Sequence, residues 1–355
     1  MSLKTTLVII YNHNYEPNIE KLEKMYGDKF DKIYHLMPFY RGNKPNVAKI
    51  YGTSYQFQDY VRQGLSVFKN DESTHYCFMG DDVLLNPEFN QYNITQKLNL
   101  DVDSGFIPAL NPVGYETFFY WDWAFTSVRA MECNFGCEYQ KFLPSINEAM
   151  DKFTQKNIPN KNITKEGFLQ IQKHFDKLDS NYCKYYFKGI EPPKKGLFKK
   201  LKYKIRKQMF LKDDSKFKTF NDSPLPYYFP PVKKFFDEYL LAKSLKNDTQ
   251  NWIYPLTFAF SDFFVIPSKK IDEFAHLCGV FAGANVFVEC AIPTSMVLCL
   301  DKIVYEKDIN YKMFIFGEEQ AYKRFCIENE YSLKKLYDNW GEKSFIHAVK
   351  LSQWR

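Results

Sequence analysis

Apolar runs alternate with helical repeats from the first residues of the chain. Residues 6–11, TLVIIY, form an uninterrupted apolar run with β-branched residues, which predicts a buried parallel strand. Pro17 suits a first helical turn, and apolar positions then follow at helical spacing until Gly27, which ends the helix. Residues 30–40 predict the next strand. The chain therefore begins with a β-α-β unit.

The same alternation continues to residue 85. Residues 54–69 predict a second helix capped by Ser54, and residues 74–79, THYCFM, predict a buried strand that leads into Asp81 and Asp82. Strands that alternate with helices predict an α/β fold, with a Rossmann-like parallel sheet and helices on both faces. Because ligands of such sheets bind beyond the carboxyl ends of the strands, we expect the aspartates to face a ligand crevice.

The pattern changes twice further along the chain. Residues 104–130 predict strand and loop with many aromatic side chains, and residues 145–250 predict a helical, lysine- and proline-rich insertion. The sheet pattern returns at residues 252–267, where an apolar strand encloses Asp262. We therefore expect three segments, with an α/β half at 1–144, the basic insertion at 145–250, and a second half at 251–355 that completes the α/β domain.

Composition supports a folded protein outside the secretory path. The 355 residues are 45% hydrophobic and 18% aromatic, enough for a large core. No stretch approaches the roughly 20 apolar residues of a membrane span. The first residues lack the apolar core and cleavage site of a signal peptide, and the eight cysteines are scattered. These features predict a cytoplasmic protein with reduced core thiols.

One segment makes the chain basic. Residues 194–218 carry eleven lysines and arginines against two aspartates, so this segment is +9 while the rest of the chain is −3. Leu197, Leu201, Ile205 and Met209 recur at helical spacing within it. The pattern favours a helix on an anionic membrane surface, peripheral to the inner face of the membrane. A solvated helix packed by its apolar stripe is the alternative, and nucleic acid is not expected because no recognisable nucleic-acid-binding module is present.

Asp81 and Asp82 lie between two apolar runs, in the sequence YCFMGDDVLLNP at 76–87. Adjacent carboxylates raise each other's proton affinity unless a cation neutralises them. Gly-Asp-Asp is also ordinary turn chemistry. Two interpretations stay open: the aspartates form a turn at a strand end, or they bind Mn²⁺ or Mg²⁺, which prefer oxygen ligands and leave positions for substrate phosphates.

The initial strand with Tyr11 and Asn12, the β-α-β unit and the acidic pair together resemble the GT-A-type glycosyltransferases. In that family an acidic motif holds a divalent cation against the diphosphate of a nucleotide-sugar donor. The resemblance implies a metal-assisted transferase for glycan or lipid-linked acceptors, as in polysaccharide biosynthesis, with residues 1–144 binding the nucleotide sugar. This chain has adjacent aspartates instead of acids two apart, so the resemblance leaves open which one binds the metal.

The last residues, FIHAVKLSQWR, contain a histidine and a lysine. A similar motif in several GT-A groups supplies a metal-binding histidine and a lysine that contacts the diphosphate, which implies these roles for His347 and Lys350. Here the lysine comes three residues after the histidine instead of six. Neutral imidazole is a good ligand for Mn²⁺, and lysine neutralises phosphate charge. A half-buried histidine on a terminal strand is the alternative.

Transfer with inversion needs a general base, commonly a carboxylate. Asp262 lies inside an apolar strand, where a charge is costly without a partner or a function. Glu289, just before a helix, is the second candidate, and its alternative is a carboxylate favoured by the helix dipole. Asp122 is the third candidate. It lies between Trp121 and Trp123, an arrangement that suits an acceptor sugar, although core packing explains it equally well.

Several polar residues follow the first two predicted strands. We expect Tyr11, Asn12 and Asn14 to line the donor pocket, and Arg41 and Lys44 to approach its phosphates. Solvated loops are the alternative for the two cations. A nucleotidyltransferase remains a rival, although Tyr11-Asn12-His13-Asn14 lacks the glycines of a phosphate loop. The third possibility is a non-enzymatic protein with a degenerate core that binds nucleotide or membrane.

Overall fold

The computed structural model describes residues 3–119, 121–132, 139–159, 161, 163–172, 252–316 and 319–355. The chain forms two compact units. The first comprises Met1–Val113, Asp122–Lys161 and Tyr254–Arg355, and the second comprises Gly114–Trp121 and Asn162–Ile253. The basic segment at 194–218 lies outside the described residues. No described helix has both the length and the apolar character that crossing a membrane requires.

The first unit is built on a seven-stranded mixed sheet with helices packed on it. Its described strands, with those of two smaller sheets, are in chain order β1 Thr5–Ile10, β2 Ile33–Pro38, β3 Val47–Ile50, β4 His75–Gly80, β5 Leu84–Leu85, β6 Ser104–Phe106, β7 Asn111–Pro112, β8 Thr257–Phe258, β9 Phe263–Pro267, β10 Lys302–Val304, β11 Lys312–Ile315 and β12 Lys343–His347. The large sheet has the order β10-β6-β9-β4-β1-β2-β3. The α/β class is therefore confirmed.

The α-helices of this unit that the structure describes with both ends are α1 Pro17–Tyr26, α2 Phe57–Phe68, α3 Ile94–Lys97, α4 Asp122–Glu132, α5 Ile146–Gln155, α6 Ile271–Gly283, α7 Val288–Cys299, α8 Glu319–Glu328 and α9 Leu333–Asp338. Helix α1 begins with a proline and is followed by Gly27 at its C-cap, as the sequence predicts. All residues of β1 and β4 are buried, which agrees with their continuous apolar runs. Five described cysteines are free and buried, as expected of core thiols.

Two predicted elements differ from the structure. Ser54 does not cap α2: a 3-10 turn at Ser54–Gln56 precedes the helix, and Gln56 at the N-cap makes no side-chain capping bond. The aromatic stretch predicted as strand and loop contains α4. Bulky aromatic residues have only slightly lower helix propensity than other residues, so their abundance does not exclude a helix.

The sheet is mixed, contrary to the predicted all-parallel arrangement. Strand β9 runs antiparallel to β4, with Met79 opposite Phe263, and antiparallel to β6. The beginning of β9 therefore lies beside the end of β4. This reversal carries Asp262, the residue directly before β9, to the carboxyl end of β4.

A three-stranded sheet, β11-β12-β5, brings the C-terminal residues to the same place. Strand β5 follows the acidic pair almost directly, and β12 pairs with it antiparallel, with Ile346 opposite Leu84. His347, the last residue of β12, therefore lies beside the acidic pair.

The second unit has few described residues. Thr164 forms an isolated antiparallel bridge with Trp252, and the Tyr115 hydroxyl accepts a hydrogen bond from the Thr164 N–H at 2.8 Å. Phe118 and Phe168 pack edge to face with ring centroids 5.8 Å apart.

Candidate functional site

The candidate site lies at a reversal in strand order. From β1 the chain proceeds to β2 and β3 on one side, then returns to β4 on the other side of β1. Such a reversal in a parallel region opens a crevice outside the carboxyl ends of the two strands. We call the space beyond the carboxyl ends of β1 and β4 the switch-point crevice. Asn12 follows β1, and Asp81 and Asp82 follow β4, so all three lie at this crevice.

Asp81 is held by internal hydrogen bonds. Its Oδ1 accepts from the Asn12 N–H at 3.2 Å, and its Oδ2 accepts from the Asn18 Nδ2 at 2.8 Å. Its own N–H donates to the carbonyl of Ile10 at 2.8 Å. Burial raises the pKa of Asp81 to about 6, although the Asn18 hydrogen bond opposes the shift. Because both oxygens have donors, Asp81 fits the turn interpretation.

Asp82 has fewer hydrogen-bond partners than Asp81. Its Oδ2 accepts from the Asn12 Nδ2 at 3.3 Å, and its Oδ1 is buried without a hydrogen-bond partner among the described residues. A Cβ at Gly80 would lie 2.7 Å from that Oδ1, so the glycine allows the carboxylate to approach the backbone of β4. The two adjacent aspartates therefore differ: both oxygens of Asp81 have donors, whereas Oδ1 of Asp82 has none among the described residues.

His347 lies between two carboxylates. Its Nε2 is 3.5 Å from Asp82 Oδ2 and 3.5 Å from Asp262 Oδ1. The Val349 N–H donates to the Asp82 carbonyl at 2.7 Å, which fixes the segment after β12 against the acidic pair. Burial alone would lower the pKa of His347, but Asp82, Asp262 and Glu289 together raise it to about 9. The imidazole is therefore a cation at neutral pH.

The sequence pattern predicted Asp262 inside a strand. In the structure it directly precedes β9. Its carbonyl accepts a hydrogen bond from the Gly80 N–H at 2.9 Å, because β9 pairs with β4 up to this point. Burial raises the pKa of Asp262, the His347 charge opposes that shift, and the Asp82 charge adds to it. Asp262 is thus a carboxylate that depends on an imidazolium partner.

Glu289 is in the first turn of α7, not before the helix. Its carbonyl accepts from the Ala259 N–H at 3.0 Å. Its carboxylate makes no hydrogen bond or ion pair with the residues that the structure describes. Burial, followed by the charge of Asp262, raises the pKa of Glu289 to about 8, while His347 opposes the shift. The group therefore changes protonation close to neutral pH.

Of the three residues expected to bind a metal, Asp82 and His347 lie together, with Asp82 Oδ2 and His347 Nε2 3.5 Å apart. Within the described ranges, no group of three or more His, Cys, Asp or Glu is arranged to hold a metal. Mg²⁺ and similar cations, however, are often held by one or two carboxylates together with substrate phosphates. The buried, unpartnered Oδ1 of Asp82 is a suitable oxygen donor. Such a cation would take its remaining ligands from water and a diphosphate, and His347 would have to lose its proton.

Two of the expected donor-lining residues have other partners. Tyr11 is fully buried, and its hydroxyl is 2.8 Å from Nδ1 of His35, so it is a core residue and does not line the crevice. Asn14 is exposed, and its Nδ2 donates to the carbonyl of Phe39 at 2.8 Å. Asn12 alone of the three predicted residues binds the acidic pair, through both its backbone and its side chain.

The predicted phosphate-binding cations are exposed. Arg41 follows β2 on a surface loop. Lys44 is turned away, because its Nζ binds Glu23 Oε2 at 2.9 Å. The N–H of Lys350 donates to the hydroxyl of Tyr322 at 2.9 Å, and its side chain is exposed three residues after His347.

The three residues expected to bind the acceptor sugar do not all belong to the same unit. Trp121 belongs to the second unit and Trp123 to the first, and the Asp122 side chain lies outside the described residues. Trp123 is 44% exposed and stacks on Phe287, with ring centroids 4.7 Å apart and an angle of 16° between the rings. Phe287 is the N-cap residue of α7, so the ring on which Trp123 stacks lies two residues before Glu289.

Sequence reasoning missed Asn18, which holds Asp81 from the first turn of α1. A polar residue next to an N-terminal proline is common in solvated helices, so only its burial reveals the contact. It also missed Phe287, because aromatic residues are frequent throughout this chain.

Compared with known proteins, the chain matches no family model and no curated protein sequence.

Proposed function

We propose that this protein is a GT-A-type glycosyltransferase that transfers a sugar from a nucleoside-diphosphate donor to a glycan or lipid-linked acceptor. The observation that carries the proposal is the convergence of Asp82, Asp262 and His347 at the switch-point crevice, with Glu289 close enough to influence the imidazole pKa. These residues come from the ends of separate elements. Perturbed pKa values in a crevice are typical of functional sites.

Asp82 and His347 are the residues that would hold Mn²⁺ or Mg²⁺ on the donor diphosphate. When bound, the cation would stabilise the negative charge of the diphosphate leaving group. Asn12 fixes the orientation of Asp82 through its side-chain amide. The exposed Lys350 is near enough along the chain to contribute positive charge to the same diphosphate.

Glu289 is the best-placed general base for a transfer with inversion. A catalytic base works best when its pKa lies near the operating pH, and that of Glu289 is raised to about 8. Its carboxylate is not committed to another described side chain, whereas that of Asp262 pairs with His347. We therefore assign proton removal from the acceptor hydroxyl to Glu289, and orientation of His347 to Asp262.

Thermal shift with nucleoside diphosphates and their sugars tests the donor site. The wild type, Asp82→Ala and Asp272→Ala are compared with and without Mn²⁺; Asp272 is a surface residue paired with Lys69 and serves as the control. A ligand at 100 times its dissociation constant stabilises a fold by about 2.7 kcal/mol. We expect a shift with one nucleotide plus Mn²⁺, lost in Asp82→Ala and kept in Asp272→Ala.

The three possible functions give different results in the same panel. Because the crevice needs a diphosphate to complete the ligand set, Mn²⁺ alone should shift the wild type little. A flat wild-type panel contradicts the donor proposal. Binding of a nucleotide sugar without transfer to any of a panel of glycan and lipid-linked acceptors favours the non-enzymatic alternative. Diphosphate release from a nucleoside triphosphate with a sugar phosphate favours a nucleotidyltransferase.

A further inference from the structure

Two exposed aromatic rings lie beyond the carboxyl ends of β2 and β3. Phe39 directly follows β2 and is 53% exposed, and Tyr51 directly follows β3 and is 68% exposed. Their ring centroids are 6.1 Å apart and their planes meet at 79°. This edge-to-face arrangement leaves at least one face of each ring uncovered by the other.

The backbone of Phe39 is held in an unfavourable conformation. Its φ is +54°, in the left-handed region that bulky residues rarely adopt. Two hydrogen bonds fix it: the Phe39 N–H donates to the carbonyl of Ile50 at 2.8 Å, and the Phe39 carbonyl accepts from the Asn14 Nδ2 at 2.8 Å. An exposed ring gains little from burial to offset this cost, and such backbone outliers cluster at ligand sites.

The rings are continuous with the switch-point crevice. Strand β1 lies between β4 and β2, so the end of β2 is two strand spacings, or about 10 Å, from the end of β4 that carries Asp82. Asn14, which holds Phe39, is in the same loop as Asn12, which holds Asp82. The ribose and α-phosphate that join a base to a β-phosphate together span a distance of that order. Arg41 is exposed two residues after Phe39.

We propose that Phe39 and Tyr51 form a stacking platform for the purine or pyrimidine base of a nucleoside diphosphate, with Asn14 as its positioning residue. This inference rests on the proposed function, because it takes the diphosphate to lie beside Asp82. Aromatic rings bind bases through their faces, which every base presents. The platform therefore contributes to affinity for the nucleoside and leaves affinity for a bare diphosphate unchanged.

Titration with two probes in the presence of Mn²⁺ tests the platform. The probes are a panel of nucleoside diphosphates and inorganic diphosphate, which has no base. The variants are Phe39→Leu and Tyr51→Leu, which keep apolar bulk. Tyr92→Leu is the matched control, because Tyr92 is 57% exposed and lies far from the crevice. The carbonyl of its neighbour Gln91 accepts a hydrogen bond from the Thr5 N–H, at the amino end of β1.

We expect each platform variant to weaken binding of the nucleoside diphosphate by about 5- to 150-fold, while the diphosphate affinity stays within twofold. Tyr92→Leu should change neither. Phe39→Gly, which adopts a positive φ freely, should keep or raise the melting temperature and still lose nucleotide affinity. That result separates a binding role from a structural one.

Three other outcomes overturn the inference in different ways. If nucleoside diphosphates bind all variants like the wild type but fail to bind Asp82→Ala, the platform is wrong and the proposed function stands. If the wild type binds neither probe, the proposed function fails, and the platform falls with it. Equal losses for both probes in Phe39→Leu would assign the ring to support of the crevice, which also contradicts a base platform.

Discussion

Glu289 is the residue whose protonation state would limit the proposed reaction. A base must be ionised to accept a proton, and burial raises the pKa of this carboxyl to about 8. We therefore expect kcat/KM to rise with pH and then to level off above the pKa of Glu289, which the charge of a bound cation would lower from its metal-free value. Glu289→Gln should lower kcat about 10²- to 10⁴-fold and remove that dependence, as steady-state transfer rates from pH 6 to 9 would measure.

Asp262→Asn serves as the comparison for this prediction. Because Asp262 contacts His347, its loss should reduce affinity for Mn²⁺ and donor. The pH dependence should remain but move to a lower pKa, since the Asp262 charge helps to raise that of Glu289. If Asp262→Asn instead removes the pH dependence and Glu289→Gln keeps it, the two roles are reversed.

The metal-free protein should lose stability as pH rises from 6.5 to 9. Glu289 has a folded pKa of about 8 and His347 one of about 9, both above their ordinary values of 4.5 and 6.5. Between the ordinary and the folded pKa of each group, the folded state keeps a proton that the unfolded state releases. The stabilising contribution of each group is therefore complete below its ordinary pKa and is lost as the pH rises through its folded-state pKa. Urea unfolding with a chelator at pH 6.5, 7.5 and 9 measures the decline.

Glu289→Gln should flatten this decline, since glutamine remains neutral as the buried glutamic acid does at lower pH. His276→Gln, at an exposed position outside the site, should leave the slope unchanged. A wild type whose stability rises between pH 6.5 and 9 would contradict the shifts of both groups.

At the residue scale, the acidic pair and Asp262 were singled out because they are charges in apolar surroundings, and His347 was singled out because of a resemblance to a C-terminal motif. The sequence could not distinguish Asp81 from Asp82, because that difference arises from Asn18, which reaches Asp81 only after α1 packs against the sheet. Tyr11 was misassigned for a similar reason. It directly follows the fully buried strand β1, and its ring is buried with its hydroxyl against His35.

Helix-to-sheet packing gives a prediction at the element scale. Alanine at a helical glycine ordinarily stabilises a helix by about 0.5–1 kcal/mol. In α2, however, a Cβ at Gly64 would overlap a methyl group of the fully buried Leu36 in β2. We expect Gly64→Ala to destabilise the fold by about 1–2 kcal/mol, as chemical unfolding would measure.

Gly279→Ala in α6 is the matched variant. A Cβ there would lie 3.0 Å from Cγ of Arg62, an exposed and flexible side chain that can move aside. Its free energy of unfolding should stay the same or increase by up to about 1 kcal/mol. Equal effects of the two substitutions would contradict close packing of α2 on β2.

Element types were more predictable than their directions. Continuous apolar runs identified β1 and β4, and Pro17 and Gly27 marked α1. The direction of β9 was not predictable, because a strand buried on both faces has the same apolar pattern in parallel and antiparallel pairing. That direction decides whether Asp262 lies at the carboxyl end of β4, beside the crevice, or at the amino end of β4. The candidate site therefore depends on topology as much as on residue type.

At the scale of the whole molecule, positive charge is concentrated in one part of the chain. Residues 194–218 carry +9, whereas the rest of the chain carries −3. An anionic membrane surface attracts each nearby lysine or arginine by about 1 kcal/mol at low salt. We therefore expect the protein to sediment with vesicles that contain phosphatidylserine and not with vesicles of phosphatidylcholine alone. The binding should weaken as salt is added.

Replacing lysines 199, 200, 202 and 204 with glutamine should weaken vesicle binding by about 4 kcal/mol at low salt, since four charges are removed from the basic segment. Replacing four exposed lysines elsewhere, at 24, 49, 165 and 334, changes the net charge equally and should have little effect. Equal losses in both variants would attribute the attraction to net charge alone. If the first variant keeps its vesicle binding, the segment is better explained as a solvated basic helix. A preference for nucleic acid over vesicles would favour nucleic-acid binding by this segment. Because lipid-linked acceptors reside in membranes, binding through this segment would bring the proposed transferase to them.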